Sequence, residues 1–326
     1  MSRPSRVSFF DCFAGIGGIR LGLERAGMRC VGSCEIDPLR REVYESNFKT
    51  DGEFYQADVR ALKPSDLPRF DILTGGFPCQ SFSRAGRGLG MEDPRGKLFL
   101  DLVRILRATV PKSFLFENVQ GLTLMRREFS FVIGKLCALG YRVKWSILNS
   151  KDFGLPQNRP RVFIVGFRKR NGFEFPKGMD GFAVVKDIME RKVERKYYLA
   201  DAHVRSARLA LPSGWRARRN GIVNVGNQFP SDFETGDIHS PFGICRCLVP
   251  SNESVINAPL IMTRWPKRGP PTIRHLTPRE CARLQGFPEG FRIHANDRVS
   301  YRQLGDSVSV PVIEAIGREM GKCLTR

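Results

Sequence analysis

The chain has 326 residues, 41% of them hydrophobic and 26% charged, and no apolar run long enough to cross a bilayer, which excludes wholesale disorder and a membrane-spanning helix. Fifty-three Lys and Arg against 33 Asp and Glu leave a net charge of +20, a balance that suits a polyanionic partner such as nucleic acid. Nine cysteines without framework spacing fit free thiols in a reducing compartment, and "MSRPSRVSFFDCF" lacks a signal-peptide core, so a cytoplasmic protein is expected.

Short apolar runs alternate with helical stripes through the first half. Strands are predicted at "RVSFF", "RCVGSCE", "FDILTGG", "SFLFENV", "KWSILNS" and "RVFIVGF", each bounded by Gly, Pro, Asn or Asp. Between the first two, Ile16, Ile19, Leu23 and Ala26 recur at helical spacing, and Gly27 suits the stop. Leu98, Leu102, Ile105 and Leu106 form a second stripe, and Val132, Ile133, Leu136 and Leu139 a third. This alternation predicts an α/β fold with a Rossmann-like, mostly parallel sheet and helices on both faces. From Asn171 to Thr272 the rhythm gives way to turn residues, basic clusters and short β-like runs such as "GIVNV" and "APLIM". It resumes at "TPRECARLQGF", where Thr277 can cap a helix starting at Pro278, with Glu280 at the capping-box position. A last helix carries Val312, Ile313, Ile316 and Met320 on one side. The expected layout is a catalytic and cofactor-binding domain over 1–170, a smaller irregular domain over 171–272, and a segment 273–326 that returns to the first.

The charge is uneven. Between Arg159 and Arg219 there are 16 Lys and Arg against 6 Asp and Glu, half of the net charge in about a fifth of the chain. Gly and Pro interrupt "RKRNGFEFPKG" and "LPSGWRARRNG", so no amphipathic membrane helix forms there, and nucleic acid is the better partner.

Asp11, Glu35, Asp58, Cys79 and Glu117 each follow or end a predicted strand. In open α/β sheets ligands bind beyond the carboxyl ends of the strands, so together these residues describe a site. The glycine-rich turn "DCFAGIGGIRLG" opens a helix, but Arg20 occupies the third glycine position of the dinucleotide fingerprint, which weakens a nicotinamide reading. Glu35 lies 20 residues after Gly15, placed for a ribose hydroxyl. In "GGFPCQSFS" Pro78 fixes the approach to Cys79, a candidate nucleophile, and Glu117 at a neighbouring strand end can protonate a ring nitrogen. Arg159 and Arg161, two apart before a strand, can orient that glutamate or an anionic substrate. The chemistry is covalent catalysis on a heterocycle, and the residues alone leave its identity open.

"FAGIGG", "GGFPCQSFS", "ENV", "QNRPRVF", "LTPRECARLQGFP" and "YRQLGDSVSVPV" resemble, in order and spacing, the DNA (cytosine-5)-methyltransferases of bacterial restriction–modification systems. The resemblance covers nearly the whole chain outside 171–272. It implies S-adenosylmethionine as cofactor, held by Phe13, Gly15, Gly17, Glu35, Ile36, Asp58, Val59, Pro78 and Ser307. It also implies a flipped cytosine in double-stranded DNA, attacked at C6 by Cys79, with Glu117, Arg161 and Arg159 completing the catalytic set and no metal. DNA contacts would come from Gln80, Ser83 and Arg87 on a mobile loop and from Arg216, Arg218 and Arg264 in the basic segment. A monomer associated with the nucleoid is expected, with a cognate restriction endonuclease acting separately. The family's usual Asn in the last motif is Asp306 here, which bears on cofactor affinity. Cys245 and Cys247, with His239 nearby in sequence, lack zinc-site spacing. Two other functions share these features: a tRNA cytosine-5 methyltransferase on the same scaffold, and a catalytically silent DNA-binding regulator. The second has no need of Cys79, Glu117, Arg159 and Arg161 together.

Overall fold

The computed structural model describes residues 7–77, 98–214, 217–229, 236–251, 256–265 and 270–325. The chain divides into two compact units, one of residues 1–148, 160–177 and 310–326, the other of residues 149–159 and 178–309.

The first unit runs β1 (Ser8–Cys12), α1 (Gly18–Arg25), β2 (Arg29–Cys34), α2 (Pro38–Asn47), β3 (Phe54–Gln56), β4 (Ile72–Gly76), α3 (Leu98–Thr109), β5 (Ser113–Val119), the single turn α4 (Gly121–Leu124), α5 (Arg126–Ala138) and β6 (Arg142–Asn149). The short β7 (Gln157–Asn158) lies in the second unit, and β8 (Pro160–Phe167) returns to the first. One seven-stranded sheet results, in the order β3-β2-β1-β4-β5-β8-β6. The pairs from β3 across to β5 are parallel, whereas β8 runs antiparallel to β5, from Ser113 opposite Phe167 to Val119 opposite Arg161. An α/β fold with a mostly parallel sheet is therefore observed, as the alternation predicts. The strand order reverses between β1 and β4, and in open α/β sheets ligands bind beyond the carboxyl ends of the strands at such a switch point.

Phe10, Leu73, Phe99, Leu102, Leu106, Phe114 and Leu136 belong to one buried cluster that joins the sheet to α3 and α5. The helix α2 has no counterpart among the sequence-based elements. Asp37 caps it by accepting from the N–H groups of Leu39 and Arg40, and Pro38 opens it. Its buried residues are Val43 and Tyr44, too thin a stripe to show as periodicity.

The second unit holds α6 (Asp201–Ser206), β9 (Arg208–Leu209), β10 (Asn224–Asn227), β11 (Asp237–His239), β12 (Cys245–Arg246), β13 (Leu260–Arg264), β14 (Thr272–His275), α7 (Pro278–Leu284) and α8 (Asp297–Asp306). Five of its strands form a sheet in the order β14-β13-β11-β10-β9 over a small core of Val204, Val225, Ile238, Leu260, Met262 and Ile273. The expected capping box is present. Glu280 N–H donates to Thr277 Oγ1 (3.1 Å) and Thr277 N–H to Glu280 Oε2 (2.8 Å).

Residues 273–309 belong to this second unit, where the sequence placed them with the first. The reason is local: β14 pairs with β13, and the buried Arg274 guanidinium grips Glu280 at the start of α7, 2.7 Å from each carboxylate oxygen. Only α9 (Val310–Leu324) returns to the first unit, where it packs on α1. The two helices meet at glycines. A Cβ on Gly22 would lie 2.6 Å from Ile313 Cβ, and one on Gly317 would lie 2.8 Å from Leu23 Cδ2.

Candidate active site

β1 delivers the chain into "FAGIGG". Phe13 (φ 56), Gly15 (φ 57) and Gly17 (φ 92) all take left-handed backbone, which turns the chain sharply into α1. Gly17 is required sterically as well, because a Cβ there would fall 2.2 Å from Phe48 Cε2. The loop hangs from the end of β2: Ala14 N–H donates to Cys34 O (2.9 Å) and Gly15 N–H to Glu35 Oε2 (2.7 Å). The other oxygen of Glu35 accepts from Asp37 N–H (2.9 Å), so this buried carboxylate is held at both ends by backbone. The next residue, Ile36, is 63% exposed, an apolar surface beside a fixed carboxylate.

Asp58 follows β3. Arg60 Nε lies 3.0 Å from each of its oxygens and Nη2 lies 2.6 Å from Oδ2, and this hydrogen-bonded guanidinium lowers the Asp58 pKa. Val59 is buried, and Arg104 on α3 holds its carbonyl (2.8 Å) together with that of Leu62 (2.7 Å). Neither Arg60 nor Arg104 was singled out from the sequence. Arg60 is two residues from Asp58 and could have been, whereas Arg104 reaches across 45 positions and left no local signal.

At the end of β5 Glu117 meets Arg161, with Nε 3.3 Å from Oε1 and both side chains largely buried. The antiparallel run of β8 explains the meeting, because it brings the start of that strand to the end of β5. Glu117 also borders β4, where a Cβ on Gly76 would sit 3.4 Å from Glu117 Oε2. The neighbouring Asn118 is 1% exposed. Its Nδ2 donates to Phe77 O (3.0 Å) and its Oδ1 accepts from Val119 N–H (2.9 Å). Sequence reasoning quoted this asparagine within "ENV" and gave it no role, yet it fixes the backbone immediately before Pro78.

Pro78, Cys79, Gln80, Ser83, Arg87 and Arg216 lie outside the described residues. Arg159 belongs to the second unit, unlike Arg161. Its buried guanidinium donates to the carbonyls of Leu248 (2.7 Å), Gly305 (2.9 Å) and Ser307 (2.6 Å) and to Cys247 Sγ (3.2 Å). Ser307 is the C-cap of α8 and presents its carbonyl to that guanidinium. Arg218 makes a fork with Asp187, 2.8 Å to each oxygen, while Arg264 is exposed at the end of β13. Among the described residues no group of three or more His, Cys, Asp or Glu could hold a metal. Burial pushes the thiols of Cys30, Cys34 and Cys245 up to about 12, which suits inert core cysteines.

A family model for C-5 cytosine-specific DNA methylases matches residues 7–322. The chain belongs to that family. It is 40% identical over 316 residues to Type II methyltransferase M.NgoBI of Neisseria gonorrhoeae, covering 94% of this chain and 90% of the relative. To Type II methyltransferase M.HhaI of Haemophilus parahaemolyticus it is 34% identical over 329 residues, covering 98% and 95%. The solved structure of the Entamoeba histolytica methyltransferase EhMeth shares the fold, with a TM-score of 0.77 at 20% identity over 97% of this chain and 98% of that one. In this methylase the first unit alone brings two carboxylates to one sheet edge in different states. Glu35 is bound by backbone amides, and Glu117 is paired with a guanidinium.

Proposed function

We propose that this methylase transfers a methyl group from S-adenosylmethionine to C5 of a flipped cytosine within a specific sequence of double-stranded DNA. The observation that carries the reading is the Glu117–Arg161 pair at the end of β5, beside Gly76 and three positions in sequence from Cys79. The residues around the glycine loop fit the cofactor. Glu35 offers a fixed carboxylate to a ribose diol, Ile36 an exposed apolar side chain to adenine, and a Cβ built on Gly15 finds nothing within 4 Å. When bound, S-adenosylmethionine supplies a methyl group made electrophilic by its sulfonium.

The chain's own residues do the rest. The Cys79 thiolate forms a bond to C6 of the cytosine, and the displaced electron pair makes C5 nucleophilic. Glu117 donates a proton to N3 as that charge builds, and Arg161 keeps the carboxyl turned toward the ring. Once C5 is methylated, its proton is lost to solvent, the C6–S bond breaks and N3 returns its proton to Glu117, which restores the aromatic ring, the thiolate and the acid. The basic segment of the second unit, with Arg264 exposed at the end of β13, supplies phosphate and base contacts.

Labelled methyl transfer to duplex DNA, with transcribed tRNA as the competing substrate, tests the reading. DNA should be modified in preference, and bisulfite sequencing should place the product at one sequence context. Cys79→Ala should abolish transfer, and Glu117→Gln should reduce kcat by roughly 10²–10⁴-fold. Robust transfer by the Cys79 variant would sink the mechanism.

A further inference from the structure

One carboxyl at this sheet edge has no part in the reading above. Asp11, the fourth residue of β1, is fully buried, and its Oδ2 has no hydrogen-bond partner among the described residues. Its Oδ1 lies 2.7 Å from Thr74 Oγ1, and that same hydroxyl lies 3.2 Å from Phe10 O. Thr74 has one hydrogen and faces two acceptors. If Asp11 is ionised, the hydroxyl serves one acceptor and leaves the other. If Oδ1 carries a proton, a complete relay runs from Asp11 to Thr74 to the Phe10 carbonyl. A hydrogen bond donated by Thr74 favours the carboxylate, but the buried Oδ2 without a donor among the described residues favours the neutral acid, and burial prevails, pushing the pKa up to about 7.

The surroundings make that proton sensitive to added charge. From α1, Arg20 favours ionisation, and from beyond β2, Glu35 opposes it. Cys30 and Cys34 on β2, Cys12 on β1 and Tyr44 on α2 are close enough to interact with its charge, Cys12 from the opposite face of the sheet, and all four are held in their neutral forms by burial. The charged residues of α9 pair with one another, Arg318 with Glu314 and Lys322 with Glu319, on its more exposed side. Arg20 is already committed to Glu53 (2.7 Å) and Glu24 (2.9 Å). Asp11 is thus a buried acid, four residues before Gly15, without a committed counterion among the described residues.

We propose that Asp11 is a charge sensor for the cofactor: it holds a proton in the ligand-free protein and releases it to solvent when a cationic ligand enters the glycine loop. The proposal rests on the placement of S-adenosylmethionine given above. That molecule carries a sulfonium and an ammonium against one carboxylate, whereas the demethylated thioether product lacks the sulfonium charge. Ionised Asp11 favours the first over the second, so product leaves as the acid takes its proton back.

Isothermal titration of the full chain at pH 6.5, in buffers of different ionisation enthalpy, counts the protons released. S-adenosylmethionine should release more than half a proton and the thioether product close to none. The affinity for S-adenosylmethionine should also rise about tenfold between pH 5.5 and 7, where its ammonium is unchanged, while that for the product stays flat. Asp11→Asn should bind S-adenosylmethionine without proton release and without the pH trend. Equal release by both ligands, or release surviving in Asp11→Asn, overturns the proposal. If that variant does not fold, the wild-type contrast between the two ligands decides alone, and equal pH trends count against the sensor. Glu35→Ala separates the two readings. Wild-type affinity in that variant would overturn the cofactor placement itself, whereas weakened binding together with no proton release from wild type would overturn only Asp11.

Discussion

Arg159→Ala asks whether this arginine does chemistry or holds the chain. Its guanidinium serves the carbonyls of Leu248, Gly305 and Ser307, two of them at the end of α8, where the last carbonyls lack partners within the helix. Hydrogen bonds from a charged donor are worth roughly 1.5–3 kcal/mol each. Ser307 O keeps a second donor, Gln285 Nε2 at 3.3 Å, so its loss is partial. Alanine has no guanidinium to desolvate on folding, which offsets part of the rest. A net destabilisation of about 3–4 kcal/mol follows for the second unit, equivalent to roughly 10 °C in its unfolding midpoint. Differential scanning calorimetry of the wild type, Arg159→Ala and Arg159→Lys should show that order of loss. Methyl transfer should fall only as the second unit unfolds, and lysine should recover part of both. An Arg159→Ala protein with an unshifted midpoint and a collapsed kcat would refute the reasoning and make Arg159 a catalytic residue.

Asn118→Ala should lower kcat by about 10²-fold, because it releases Phe77 O and with it the backbone that leads to Cys79; steady-state transfer measures this, and stability should drop by only about 1–2 kcal/mol. His239 is buried with neither ring nitrogen hydrogen-bonded among the described residues, and burial pushes its imidazole down to about 3. Its folded form binds fewer protons than the unfolded form between about pH 3 and 6.5. Stability from this residue is therefore complete above about 6.5 and is lost as pH falls, by up to about 1.4 kcal/mol per unit. Asp11 titrates with the opposite sign, so the quantity to follow is the stability of wild type relative to His239→Leu in urea, which should fall steadily from pH 7 to pH 5.

The sheet was legible because its strands are apolar runs set between Gly, Pro and Asx residues, and the capping box at Thr277 was legible because it is four residues long. Glu35 and the glycine loop could be read for the same reason: their geometry is dictated within some 20 positions. What escaped depends on long-range partners. Arg159 and Arg161 look equivalent at a spacing of two, but β7 ends at Asn158 and Pro160 opens a different strand, so the two guanidinium groups go to different units. Of the second sheet only the β-like runs at "GIVNV" and "APLIM" showed, overlapping β10 and β13, because its other strands are two to four residues long, too short for a period of two to register. The boundary at 273 was misplaced because the Arg274–Glu280 pair ties β14 to α7, a tie that no composition shift announces.

The packing of α9 on α1 bears on synthesis. The helix α1, which follows the glycine loop, leaves the ribosome well before residues 310–324, which cover it. Nearly three hundred positions separate Leu23 from Gly317, whose Cα lies close enough that no side chain fits between them. Long-range closure of this kind is slow and comes late. The first unit therefore stays open at that face until α9 has emerged, and a chain interrupted before α9 leaves the apolar side of α1 uncovered. A closed first unit is in this way reserved for chains translated through α9.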